Sequence, residues 1–350
     1  MNNLKISFII PLFNGKKFIA KCLDSLLNQD LSHTEYEIIC VDDFSSDNSV
    51  LLTMKYIEKY NNIRLIKHSS NMKTGTSCNS GLKYATGKYI WIVGQDDWIE
   101  ENCLGRLIEK CEQDELDVLA FNYRRVDEFE NELHSATVFG ETAVIKGDIF
   151  IEENFQNNFV HYLLGYEWRA IFNRNYLQAK KVDFTDGAIY EDTTYLFKAI
   201  IYSNRFASIP DFIYNYRVNT RSITDFNKKY KGNLIFEFSF VAGNEVLNLA
   251  DNLSEEYREF SEILHKTAIW YFESFTYKII AASLNEKRIF YSLMSSNSLQ
   301  LSEELKMTAW YVQLLAKPLW GLFFSIILKP VYLLKRKIKN KNKPQQEWCY

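Results

Sequence analysis

The sequence predicts an α/β fold: a doubly wound, mainly parallel sheet with a helical C-terminal extension. Two observations carry this. The first 122 residues alternate short apolar runs with stretches of helical periodicity, the pattern of repeated strand–helix units. From residue 226 to about 308 the chain instead reads as helix throughout, rich in Phe, Tyr, Leu and Glu with few breakers. With 350 residues, 47% of them hydrophobic and 24% charged, there is ample apolar surface for a large core. Only 13 Gly and 5 Pro are present, which argues against repeats, linkers and disorder.

Each element follows from its local pattern. "KISFIIPLF" (5–13) is a continuous apolar run, as in a strand buried on both faces. Residues 15–29 place Ile19, Cys22, Leu23, Leu26 and Leu27 at helical spacing. "YEIICVDD" (36–43) is a second strand, after which Ser45 and Ser46 offer N-caps to a helix reaching about Tyr60. "IRLIKH" (63–68) is a third strand, and 76–86 a short helix closed by Gly87. "KYIWIV" (88–93) is a fourth strand, 100–112 a helix and "LDVLAFN" (116–122) a fifth strand. Beyond residue 123 the pattern loosens. Short alternating segments over 124–146 fit a hairpin, 148–164 and 190–203 fit helices, and "FASIPDFIYNYRV" (206–218) fits extended strands.

Six cysteines (Cys22, Cys40, Cys78, Cys103, Cys111, Cys349) form no CxxC pair, which reads as reduced, mostly buried thiols of a cytosolic protein. The eight-residue run "ISFIIPLF" is too short for a secretory leader. The net charge of −3 hides an asymmetry: Lys329–Lys343 carries seven basic residues and no acidic one, which leaves −10 on the rest. An acidic body with a basic tail points away from general nucleic-acid binding and toward a local contact made by the tail. The preceding apolar region (309–334) is interrupted by Lys317, Pro318, Lys329 and Pro330. Its longest uncharged run, Pro318–Leu328, is about half the ~20 residues a spanning helix needs. It reads as an amphipathic anchor on anionic lipid; a packed helical subdomain with a solvated tail and a spanning helix are the alternatives.

In an open parallel sheet, ligands bind beyond the carboxyl ends of the strands. Strand one ends in Pro11, Phe13 and Asn14, strand two in Asp42 and Asp43, strand four in Asp96 and Asp97, followed by Trp98. A lone acidic strand end is usually a helix cap. Two acidic pairs at one edge repel each other unless a cation or hydrogen-bond donors balance them. Hard divalent cations such as Mg²⁺ or Mn²⁺ take such oxygens and bridge to nucleotide phosphates. Competing phosphate motifs are absent: there is no GxGxxG, and "GLKYATGK" (81–88) has the wrong glycine spacing, lacks Ser/Thr after Lys88 and precedes a strand. Trp98 offers a ring to a sugar or a plug to the next helix. The five histidines show no metal-ligand spacing.

The blocks "SFIIPLFNGKKFIAKCLDSLLNQ", "EIICVDDFSSDNS" and "GTSCNSGLKYATGKYIWIVGQDDW" resemble the start of family 2 glycosyltransferases. The resemblance is dense over 5–125 and continues through "EWRAIFNRNYL" and "GAIYEDTTY" to "YNYRVNTRSIT", near residue 224. It implies a GT-A nucleotide-sugar domain over 1–224, with a helical region at 225–308 and the amphipathic, basic tail at 309–350 outside any family motif. It implies that Pro11, Phe13, Asn14, Asp42, Asp43 and Asn79 surround the nucleotide. Asp96 and Asp97 would belong to the metal–diphosphate motif, usually written DxD, that holds Mn²⁺ or Mg²⁺. Asp192, with Glu191 beside it, would be the general base for the acceptor hydroxyl; without the family, dipole stabilisation of a helix start explains this pair equally well. Such enzymes invert the anomeric centre by one in-line displacement while the metal stabilises the departing nucleoside diphosphate.

Three positions depart from the family pattern. Gly94 stands where an aspartate is frequent. Cys78 replaces an arginine in the block that usually reads Ala-Arg-Asn-x-Gly, and Lys73, Arg217 or Arg221 are the candidates to supply the missing cation, the last two as a diphosphate clamp. Arg169 follows Trp168 in a block that, in the family, approaches the acceptor. The expected protein moves a sugar from a UDP-sugar to a hydroxyl of a glycan or lipid-linked glycan in surface polysaccharide assembly. It would be cytoplasmic, peripheral at the inner face of the membrane through its tail, and would bind no nucleic acid. Two other classes stand beside it. A sugar nucleotidyltransferase would need a glycine-rich loop after strand one, and "PLFNGKKF" is glycine-poor. An inactive nucleotide-sugar-binding module is motivated by Gly94 and Cys78 and opposed by Asp96, Asp97 and Asp192 together.

Overall fold

The computed structural model describes residues 4–135, 145–146, 166–186, 192–218 and 233–281. The chain forms two compact units, 1–219 and 220–350. In the first, β1 (Ile6–Leu12), β2 (Tyr36–Asp42), β3 (Ile63–Lys67) and β4 (Tyr89–Ile92) make a parallel block in the order β3-β2-β1-β4. Every residue of β2 is buried, as the unbroken apolar run requires of a strand covered on both faces. The helix α1 (Ile19–Leu27) buries Ile19, Cys22, Leu23 and Leu26, one stripe at helical spacing. Each such side chain contributes about 1.5–3 kcal/mol on leaving water. Helices α2 (Ser49–Ile57), α3 (Lys73–Tyr84) and α4 (Leu104–Gln113) complete the alternation, and α5 (Arg174–Lys180) and α6 (Asp192–Ile201) follow later in the chain.

The chain lays β1, β2 and β3 outward on one side, then returns to add β4 on the other side of β1. That reversal makes the carboxyl ends of β1 and β4 the switch point where a crevice opens.

The remainder of the sheet is mixed. The fifth expected strand is β6 (Val118–Val126), but it does not lie beside β4. The short β9 (Ala170–Asn173) is inserted antiparallel between them. β6 then pairs in parallel with the long β10 (Arg205–Arg217), which carries β5 (Trp98–Ile99) and β8 (Ile145–Lys146) antiparallel. The expected hairpin is β6 with β7 (Glu132–His134). Two caps differ from expectation. α2 starts at Ser49, because Ser45 and Ser46 bond to the loop after β1 instead. α3 ends at Tyr84, and Gly87 serves close packing: a Cβ there would meet the Ile6 and Ser7 backbone at 2.5 Å. Cys22, Cys40, Cys78, Cys103 and Cys111 are buried and in no disulfide. Cys349, the helix expected at 148–164 and the tail at 309–350 lie outside the described residues.

In the second unit, α7 (Asn233–Asp251) and α8 (Glu259–Ala281) bury Ala242, Val246, Leu264, Ala268 and Phe272. Gly243 allows their close approach; a Cβ there would stand 2.9 Å from Phe272. Among the described residues no helix is long and apolar enough to cross a membrane.

Candidate active site

The switch point is fastened by side chains. Gln95, after β4, donates from Nε2 to the Phe13 carbonyl at 2.9 Å and accepts the Phe13 N–H at 2.9 Å. Asn14, in the left-handed region at φ 51°, accepts at Oδ1 from Ser46 N (2.9 Å) and Ser46 Oγ (3.2 Å). Its own N–H donates to Ser45 Oγ at 2.9 Å. Asp42 accepts from the Ser45 N–H. The loops after β1, β2 and β4 thus form one rim. Pro11 is half-buried at its base, and Phe13 and Phe44 stand exposed on it.

Asp43 turns inward. Its Oδ1 accepts from Met72 N (2.7 Å) and lies 2.9 Å from His68 Nδ1; its Oδ2 accepts from Lys73 N (2.9 Å). His68 Nε2 lies 2.9 Å from Ser80 Oγ on α3. Asp43 therefore organises the start of α3, where Lys73 sits at φ 72°. The Lys73 side chain is on an exposed residue beside the rim.

The adjacent carboxylates after β4 part company. Asp97 is buried, accepting at Oδ2 from Tyr214 Oη (2.7 Å) and at Oδ1 from Arg217 N (2.8 Å). Burial pushes its carboxyl up to about 8, against the pull of these two donors. The Gly94 N–H donates to Tyr214 Oη at 2.9 Å, so Tyr214 ties β10 to both ends of the loop. Asp96 is the more exposed of the pair.

Arg217 is a residue expected as a diphosphate clamp. It is 4% exposed. Its Nε donates to the Asp96 carbonyl at 2.9 Å, and its guanidinium lies over the rings of Phe18 (4.9 Å) and Trp98 (4.6 Å). A diphosphate would have to displace those partners. Trp98 is half-buried, with Lys21 Nζ 4.1 Å from its ring. Asn79, expected at the nucleotide, bonds to the segment before the Asp192 helix. Its Oδ1 accepts from Phe184 N (3.0 Å), and its Nδ2 donates to the Phe184 carbonyl (3.0 Å) and Asp186 Oδ1 (2.9 Å). The Phe184 ring stacks on Tyr195 at 3.9 Å, inside helix α6 (Asp192–Ile201), which Asp192 opens. Cys78 is fully buried. Arg169 is buried, 5.2 Å from the Tyr123 ring. Glu191 and Arg221 lie outside the described residues.

Sequence reading missed Gln95, Tyr214 and Phe44. Gln95 lies inside the "GQDDW" block but carries no charge to flag it. Tyr214 is far away in sequence, and only the β5–β10 pairing brings it to Asp97.

This fold, with the β1 and β4 loops joined at the topological switch point, is of the GT-A class. Residues 7–179 match the model of glycosyl transferase family 2, and this part of the chain belongs to that family. It is 28% identical over 221 residues to the glycosyltransferase EpsJ of Bacillus subtilis, covering 63% of each chain. It is 29% identical over 219 residues to the poly(ribitol-phosphate) beta-N-acetylglucosaminyltransferase TarS of Staphylococcus aureus, covering 61% of this chain and 35% of that one. The alignments therefore span less than two thirds of these relatives' lengths. Among solved structures, S. aureus TarS 1–349 in complex with UDP-GlcNAc superposes with a TM-score of 0.67 at 20% identity, covering 98% of this chain and 93% of that one. The mannosyltransferase PcManGT of Pyrobaculum calidifontis, in complex with GDP-Man and Mn²⁺, gives 0.54 at 15% identity, covering 98% and 88%.

Proposed function

We propose that the chain is an inverting glycosyltransferase that moves a sugar from a UDP-sugar to a hydroxyl of a surface glycan or lipid-linked glycan. The observation that carries this reading is the single rim made at the switch point, where Gln95 fastens the metal-motif loop to the loop of Phe13 and Asn14. TarS, a structural neighbour, holds UDP-GlcNAc, and the acceptors named for several relatives are poly(ribitol-phosphate) chains. Both support a UDP-sugar and a hydroxyl-rich surface polymer.

Asp96 is the carboxylate offered to Mn²⁺ or Mg²⁺. Among the described residues no cluster of three or more His, Cys, Asp or Glu forms a cage. One carboxylate with substrate phosphates and water suits Mg²⁺ and its like, which rarely take an all-protein cage. When bound, the cation neutralises charge on the leaving diphosphate. Asp97, with both oxygens on protein donors, holds the loop. Lys73, exposed at the start of α3, is the candidate to replace the arginine lost at Cys78. Asp192 accepts the proton of the attacking hydroxyl, with Glu191 as its neighbour. The tail beyond residue 309 tethers the protein to anionic lipid at the cytoplasmic face.

The test is a panel of nucleotide sugars with Mn²⁺ and glycan acceptors, reading released nucleoside diphosphate. Asp192→Asn is expected to retain donor binding and lose transfer by at least a hundredfold. Asp96→Asn is expected to lose Mn²⁺ binding in the presence of UDP, while Asp97→Asn keeps it within about threefold, read by the Mn²⁺ spin-resonance signal. Release by the Asp192→Asn protein at the wild-type rate would remove the base assignment. No release with any donor would favour an inactive binding module, and pyrophosphate formed from a sugar phosphate and UTP would favour a nucleotidyltransferase. Sedimentation with vesicles, before and after truncation at residue 309, tests the tether; equal sedimentation removes it.

A further inference from the structure

Phe44 combines two unfavourable properties. Its φ is 67°, a region that bulky side chains avoid. It is also 58% exposed, so core packing does not offset that strain. Strained residues persist where their surroundings over-determine them, and they gather at ligand sites. Here the surroundings do so from both sides. The Asp43 N–H donates to the Leu12 carbonyl at 2.8 Å, Asp42 takes the Ser45 N–H, and Asn14 holds Ser45 and Ser46. The loop is thereby fixed in the one conformation that leaves the phenyl ring in solvent.

Its position gives the ring a use. Leu12 pairs with Asp42 across adjacent parallel strands, which lie about 4.8 Å apart. Phe13 follows that pair by one residue and Phe44 by two. Phe13 is itself 45% exposed, and Met72, held by Asp43, is 44% exposed. Two exposed phenyl rings therefore follow the ends of neighbouring strands, and exposed Met72 is tied to the same loop through Asp43. A flat, apolar ligand with polar edges fits this surface, and a sugar diphosphate without its base does not.

We propose that Phe44 is a specificity-determining residue of the donor site that takes the planar base of the nucleoside diphosphate against its ring. The proposal rests on the donor reading above. Phe44 selects for the base and Asp96 serves the diphosphate, so the two parts of the donor are read by separate loops.

The test uses the full chain with Phe44→Gly, Phe44→Ala and Phe44→Trp, and measures melting temperature and Kd for UDP, GDP and inorganic pyrophosphate with Mn²⁺. Phe44→Gly is expected to melt at or above the wild type, because glycine adopts this φ without strain. The same variant is expected to bind the preferred nucleoside diphosphate roughly five- to a hundredfold more weakly, with pyrophosphate unchanged. Phe44→Trp is expected to restore nucleotide binding. Nucleotide affinity unchanged in both Phe44→Gly and Phe44→Ala overturns the proposal. So does an equal loss for pyrophosphate, which would mean a collapsed loop. A wild-type protein that binds neither UDP nor GDP removes the donor reading first, and Phe44's role with it.

Discussion

A Cβ on Gly94 would stand 2.6 Å from Asp97 Oδ2 and 3.2 Å from Tyr214 Oη. Glycine at this position is therefore a packing requirement of the loop as built, with Asp97 and Tyr214 filling the space beside it. Gly94→Asp is expected to destabilise the protein by about 1–3 kcal/mol through overpacking and to add no metal affinity. Thermal unfolding and Mn²⁺ titration check both halves; tighter Mn²⁺ binding at unchanged melting temperature would show that the loop has room for a second ligand. Asp97 supplies a pH signature. Burial raises its carboxyl from the ordinary 3.8 to about 8, so the native state holds this proton more tightly than the unfolded chain. Its contribution to stability is full below about pH 4 and is lost as pH rises through about 8. Asp97→Asn, neutral throughout, is expected to flatten that decline in the metal-free protein. Urea unfolding at several pH values between 5 and 9 measures the slope, and equal slopes in the two proteins would refute the assignment.

At the scale of elements, the sheet's parallel block was legible because its signals are local. β1, β2 and β4 are continuous apolar runs, and α1 carries a clean stripe. The insertion of β9 between β4 and β6 was not legible, since its register is set by partners about 50 and 80 residues away in sequence. Still longer separations, 117 and 121 residues, hid the contacts of Tyr214 with Asp97 and of the buried Arg217 with the Asp96 carbonyl. Charge type was readable at these positions; the direction each side chain takes was not. Gln95 is where two elements meet, since its amide makes both hydrogen bonds between the β1 and β4 loops. Gln95→Ala is expected to cost about 1–2 kcal/mol, a fall of a few degrees in melting temperature, and to weaken nucleotide binding severalfold by loosening the rim. Gln95→Glu keeps the acceptor for Phe13 N but faces the Phe13 carbonyl without a donor, so it is expected to rescue little. Calorimetry with UDP on both variants decides; wild-type affinity in Gln95→Ala would mean that the rim is held by Asn14 alone.

At the scale of the catalytic unit, the donor loops and the proposed base come from distant parts of the sequence, and their relative placement must be fixed before transfer can occur. Small displacements of a positioned group are costly to rate. Asn79 is the visible link. From α3, whose start Asp43 organises, it grips both backbone polar groups of Phe184, whose ring stacks on Tyr195 three residues after Asp192. The family resemblance placed Asn79 at the nucleotide, and the two roles separate experimentally. If Asn79 positions the Asp192 helix, Asn79→Ala lowers kcat by about tenfold or more while the Kd for UDP stays within about twofold. Asn79→Asp is expected to be worse than Asn79→Ala, because a carboxylate loses the donation to the Phe184 carbonyl and meets Asp186 Oδ1 where Nδ2 had met it at 2.9 Å. A nucleotide ligand would give the reverse result: UDP affinity would drop in both variants, with kcat at saturating donor largely kept. Transfer kinetics at varied donor concentration, beside direct UDP binding, therefore settle whether Asn79 serves the donor loops or the base.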